Sequence, residues 1–165
     1  MSAGRPKISS SIKRAVRQRC AFGCVICGMP LYEYDHVQPY SEVGVHESDN
    51  IILLCPNHHA MKTKGRIPID ALVRAVNNPF NAEREWTAAE EMGPFGTGVN
   101  VYIGGNRVRA DVRGGVALQI DGHPLISFNV KEGQLGLFVD LCDARRNPLL
   151  KVQDNELVHA TGHWD

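Results

Sequence analysis

No stretch of this 165-residue chain stays apolar for the roughly 20 residues that a membrane-crossing helix needs. Its opening, Met1-Ser2-Ala3-Gly4-Arg5-Pro6-Lys7, is basic and lacks the apolar core of a secretory signal. The expected compartment is therefore the cytoplasm. An even set of cysteines is missing too: there are five, four of them in the first third of the chain. In a reducing compartment that distribution suits metal ligation better than a disulfide framework. Net charge is also absent, with 18 Lys/Arg against 18 Asp/Glu, but the balance is uneven along the chain. Residues 1–66 carry nine basic and five acidic side chains, and residues 67–165 carry nine and thirteen. A basic front half is expected to meet a polyanion.

Apolar periodicity outlines the elements. Ile8, Ile12, Val16 and Cys20 recur every four residues, which predicts an amphipathic helix over 9–20 capped by Ser9 or Ser10. Lys13, Arg14 and Arg17 fall on its other faces, either as a solvated surface or as cations laid along a phosphate backbone. Cys20 belongs to the apolar face and reads as a packed thiol. Strands are expected over 31–37 and 51–54, separated by a loop holding Pro39 and Gly44. Pro56 is placed to start a helix and Gly65 to end it. Residues 67–92 read as two further helices, the second one acidic over 81–92, followed by a Gly/Pro linker over 93–98. Beyond Gly98 six short stretches alternate with period two and are separated by turn residues, the pattern of an all-β module. Its histidines, His123, His159 and His163, are scattered and read as surface or packing residues.

The chemistry-bearing residues crowd between Cys24 and His59. Cys24-Val25-Ile26-Cys27 and Cys55-Pro56-Asn57-His58 each offer two soft ligands two residues apart, so that one tight knuckle presents both. Together they form a Cys₃His set suited to tetrahedral Zn²⁺. By itself this set would equally describe a zinc finger without catalysis. Between and beside the pairs lie Asp35-His36, Asn50 and His59. Asp35 is a hard oxygen ligand suited to Mg²⁺ or Mn²⁺. An imidazole such as that of His36 can deprotonate water near neutral pH. His59 follows the zinc ligand on the first helical turn and faces another way.

This set, with Pro39, Ser41 and Gly44 in the loop and Lys62 three residues after His59, resembles the HNH endonucleases of the zinc-clipped ββα-metal kind. The resemblance spans about residues 12–66. It implies that His36 is the general base, that Asp35 and His59 hold one catalytic divalent ion, and that Asn50 orients the loop near His36. It also implies that Cys24, Cys27, Cys55 and His58 bind structural zinc, and that phosphodiesters are cut to 5′-phosphate and 3′-hydroxyl ends. His58 stands where a cysteine is often found, a change zinc tolerates.

The expected whole is an α+β protein with three parts. Residues 1–66 form a ββα-metal nuclease unit with its flanking basic helix, 67–98 a helical connector and linker, and 99–165 an all-β module. DNA is the expected partner, contacted by Lys13, Arg14, Arg17 and Lys62. A homodimer through the β module would pair two single-strand cutting sites, and the architecture suits bacterial or phage-borne defence or mobile-element biology. The competing expectations are a non-catalytic zinc-finger DNA-binding module and a protein–protein adaptor working through its β module.

Overall fold

The computed structural model describes residues 6–92, 96–111 and 113–161. They fall into two compact units that divide between Ala88 and Ala89. The architecture is mixed α and β, with an antiparallel sheet in the C-terminal half. No helix among the described residues is long and apolar enough to cross a membrane.

In the first unit, helix α1 spans Ser10–Arg19, and the Ser9 hydroxyl accepts from the backbone N–H of Ile12 at 3.3 Å. Its apolar face buries Val16 and leads into Cys20, whose thiol is pushed up to about 11 chiefly by burial. Strands β1 (Glu33–His36) and β2 (Ile51–Leu54) pair antiparallel, with Asp35 opposite Ile52 and His36 opposite Ile51. All four residues of β2 are fully buried, which explains their unbroken apolar run. Each contributes about 1.5–3 kcal/mol of burial. β1 is shorter than the stretch over 31–37 suggested.

The loop between the strands holds a short helix, α2 (Tyr40–Val43), and a 3₁₀ turn, Ser48–Asn50. Gly44 ends α2 at φ 70°, a conformation glycine adopts without steric cost. Arg19 donates to the carbonyls of Ser48 and Ile51, both at 2.6 Å, and so ties α1 to the end of this loop. Helix α3 spans Pro56–Thr63, with Cys55 as its cap. Helix α4 spans Ile69–Asn77 and buries Leu72 and Val76 against the same core.

The acidic helix expected over 81–92 does not form; turns and extended chain take its place. Local backbone bonding is limited to turns such as Arg84 N–H to the Asn81 carbonyl at 3.0 Å, and the segment and the residue before it also bond the first cysteine knuckle. Phe80 N–H donates to the Val25 carbonyl at 3.1 Å and Ala88 N–H to the Gly28 carbonyl at 3.1 Å. Asn81 is 1% exposed and donates from its amide to Gly28 and Ala21 carbonyls at 3.0 and 3.3 Å. Gly28 has φ +77°, and a Cβ there would lie 2.3 Å from the Asn81 amide oxygen. Of the linker expected over 93–98, residues 93–95 lie outside the described residues, as do Val112 and His163.

The second unit is built from hairpins. A six-stranded antiparallel sheet runs in the order β3 (Glu90–Glu91), β10 (Glu156–His159), β9 (Pro148–Gln153), β8 (Gln134–Cys142), β7 (His123–Lys131), β6 (Gly115–Ile120). Strands β4 (Val99–Ile103) and β5 (Asn106–Ala110) form a separate hairpin. Ala110, Phe128 and Leu135 make the buried core, flanked by Val99, Val101, Ala117, Ile126 and Leu137. The hairpin turns Asp121-Gly122, Glu132-Gly133 and Asp154-Asn155 each place two consecutive residues at positive φ. That geometry matches the right-handed twist of the flanking strands. β3 and β10 are strands that the alternation did not reveal.

Candidate active site

The zinc knuckles converge. The ligand atoms of Cys24, Cys27, Cys55 and His58 all lie within 4.8 Å of one another. Cys27 Sγ and Cys55 Sγ are 3.8 Å apart, and His58 Nδ1 lies 3.4 Å from Cys24 Sγ and 3.2 Å from Cys55 Sγ. With Zn–S about 2.3 Å and Zn–N about 2.05 Å, tetrahedral geometry requires about 3.8 Å between thiolates and about 3.6 Å between thiolate and imidazole. The donor set and its spacing fit zinc. Burial, with the Cys24 and Cys55 sulfurs adding to it, pushes the Cys27 thiol up to about 12, so a cation is needed to hold thiolates here. Cys55 does double duty. Its sulfur belongs to the Cys₃His set and also accepts from the His58 N–H at 3.5 Å as the helix cap.

A second cluster is held between β1 and α3. Residues 58 and 59 project about 100° apart around the helix, so His58 faces the thiols while His59 faces the strand. His59 Nδ1 lies 2.8 Å from Glu33 Oε2, and His59 Nε2 lies 3.8 Å from Asp35 Oδ1. Glu33 can only accept, so a neutral His59 carries its proton on Nδ1 and its lone pair on Nε2. That lone pair faces a carboxylate oxygen across a gap too long for a hydrogen bond. One imidazole nitrogen and one carboxylate oxygen, both electron-rich and aimed together, fit a divalent cation whose other positions go to water and phosphate. Lys62 fixes the carboxylate from its other side. Its ammonium sits 2.6 Å from Asp35 Oδ2 and also contacts the His36 carbonyl.

His36 closes β1, next to Asp35 in the chain. It is 3% exposed, and its Nε2 lies 3.1 Å from His46 Nδ1. The Tyr40 ring packs edge-on against His36 at 5.6 Å. The two clusters are joined by one peptide unit, whose His36 N–H donates to Asp35 Oδ1 at 2.9 Å. Asn50 pins the loop that starts after His36. Its side-chain oxygen accepts from the Gln38 N–H at 2.8 Å and its amide donates to the Gln38 carbonyl at 3.0 Å.

The basic residues divide. Lys13 lies over the Tyr34 ring at 5.5 Å, Arg17 donates to the Tyr34 hydroxyl at 3.1 Å, and Arg14 is exposed on α1. A cleft lined by Lys7, Lys13, Glu33, Tyr34 and His46 lies beside them. Lys62 is 17% exposed and held at Asp35 rather than extended into solvent. Sequence reasoning passed over Glu33, His46, Arg19 and Asn81. Glu33 lay two residues before Asp35 on a period-two strand, which was the one available signal. The other three act through contacts distant in sequence: Arg19 with Ser48 and Ile51, His46 with Pro6, and Asn81 with Ala21 and Gly28.

No curated protein and no solved structure matches the chain. Residues 18–65, from the end of α1 to the end of α3, match the family model described as HNH endonuclease, and both side-chain clusters lie within this segment.

Proposed function

We propose that the first unit is a metal-dependent DNA endonuclease that hydrolyses phosphodiester bonds to 5′-phosphate and 3′-hydroxyl ends. The observation that carries it is the Glu33–His59–Asp35–Lys62 cluster, set one peptide away from a buried, oriented His36. A zinc finger that only binds has no use for a carboxylate–imidazole pair aimed at a cation position. His36 takes a proton from water, whose oxygen then attacks phosphorus in line as the P–O3′ bond breaks and the departing 3′ oxygen takes a proton from bulk water. Asp35 and His59 would hold a divalent ion, which when bound would supply positive charge at the crowded phosphorus and the leaving oxygen. Glu33 holds the His59 ring and its tautomer, Lys62 orients Asp35, and Asn50 steadies the loop after His36. Lys13, Arg14 and Arg17 on α1 offer cations to the DNA backbone.

The second unit is proposed to pair two copies. Strand β6 is an outer strand of the sheet, and Val116 and Ile120 on it are more than half exposed, so a second β6 could extend the sheet. A monomer by light scattering at working concentration would remove this part of the reading.

The test is a supercoiled-plasmid assay with Mg²⁺, Mn²⁺ or EDTA, run beside His36→Ala. Nicking that needs the ion and vanishes in the variant is the expected result. Binding without cutting under every ion would transfer the reading to a zinc-finger DNA-binding module.

A further inference from the structure

The proton positions around His36 follow from a chain of contacts that ends on a carbonyl. His46 Nε2 lies 2.8 Å from the Pro6 carbonyl oxygen. That oxygen can only accept, so His46 Nε2 carries the proton and donates it. In the neutral ring His46 Nδ1 is then an acceptor. His36 Nε2, 3.1 Å away, must supply the hydrogen of that bond. A neutral His36 protonated on Nε2 has its lone pair on Nδ1. Two hydrogen bonds in series therefore select one tautomer of a ring that is almost wholly buried.

We infer that His46, held by the Pro6 carbonyl, is the positioning residue that makes Nδ1 of His36 the atom that takes the proton from water. This rests on the proposed role of His36 as base. Tyr40 supports the arrangement mechanically. Its ring lies 5.6 Å from His36 and 4.7 Å from His46, so it braces both imidazoles against rotation. The device also gives the segment before α1 a part in the site, since Pro6 lies 30 residues from His36 in sequence. A proton arriving at His36 Nδ1 leaves Nε2–H still donating to His46, so the hydrogen bond between the rings survives the transfer. No covalent bond to either ring is made or broken apart from that proton transfer.

Substitutions at His46 separate this from simple packing. The side-chain oxygen of Asn falls near the place of Nδ1 and can accept from His36, whereas Gln reaches the place of Nε2 and cannot. His46→Asn is expected to keep kcat within about threefold. His46→Gln and His46→Ala are expected to lose about tenfold or more in kcat, with KM for DNA unchanged. Equal rates in Asn and Gln variants, or an unchanged rate in His46→Ala, would overturn the inference.

The second measurement needs no variant. Imidazole ¹⁵N shifts of the zinc-loaded wild-type chain should show His36 and His46 both as Nε2–H tautomers. A His36 ring protonated on Nδ1 alone would refute the relay. This readout is independent of cutting: a chain that shows the tautomers but never nicks plasmid would fail as a nuclease while keeping the relay.

Discussion

The two units solve the problem of stability differently. The first has strands of four residues, a pair that could not hold itself in water. It gathers thiols, imidazoles and carboxylates into two clusters that share α3. The second has paired strands of nine residues, joined by turns whose backbone matches the strand twist. Among its described residues no group of three or more metal-ligating side chains converges. Where hydrogen-bonded ladders are long, polar side chains can be scattered without cost. Where they are short, polar chemistry is concentrated, and one cluster has the donor set with which a zinc ion would hold the fold.

The sharpest way to break that comparison is Cys24→Ser. Structural zinc contributes an apparent binding energy of about 10–16 kcal/mol to the domain it folds. The variant is expected to lose the zinc-dependent unfolding transition of the first unit while the sheet of the second still melts cooperatively. Calorimetry with and without a strong chelator reads both. Simultaneous loss of the two transitions would show that the units do not differ in the way described. His36→Ala comes next. It should lower plasmid nicking by roughly 10²–10⁴-fold and leave both transitions in place, because it removes a proton acceptor and no zinc ligand. A parallel fall in melting temperature would make the residue structural. Glu33→Gln has a smaller expected effect. The amide keeps the shape but weakens the hold on His59 Nδ1–H, and the apparent affinity for Mn²⁺ in the cutting assay should drop about 10–100-fold. Unchanged Mn²⁺ dependence would remove Glu33 from the site.

The same contrast explains what could be read from the sequence. The convergence of Cys24, Cys27, Cys55 and His58 was legible because knuckle spacing is local: two residues between paired side chains fixes their geometry whatever lies elsewhere. Asp35, His36, Asn50 and His59 were found as a pattern of types at fixed distances, and the structure brings Asp35 and His59 together and puts Asn50 on the loop after His36. His46 was not legible, because its meaning depends on a carbonyl 40 residues earlier. Residues 81–92 were misread as helix since their acidic and apolar residues do suit one. Tertiary bonds to Val25 and Gly28 won over propensity, a long-range competition that no local window contains. In the β module the alternation showed six strands. It missed β3, which has two residues and no period, and β10, which follows the Asp154-Asn155 turn.

That turn chemistry supplies the mildest test. Glu132 occupies a left-handed position, φ 52°, at the tip between β7 and β8, where a long side chain has no local hydrogen bond to offset the steric cost. Asn accepts this conformation more readily and stands before a glycine, the pairing that such hairpins favour. Glu132→Asn should raise the stability of the second unit by about 0.5 kcal/mol, read as a rise of a few degrees in its melting transition. Zinc content, the first transition and the rate of nicking should all stay as they were. A change in cutting would mean that the hairpin tip takes part in what the first unit does, and the division of labour between a metal-held unit and a turn-held unit would have to be redrawn.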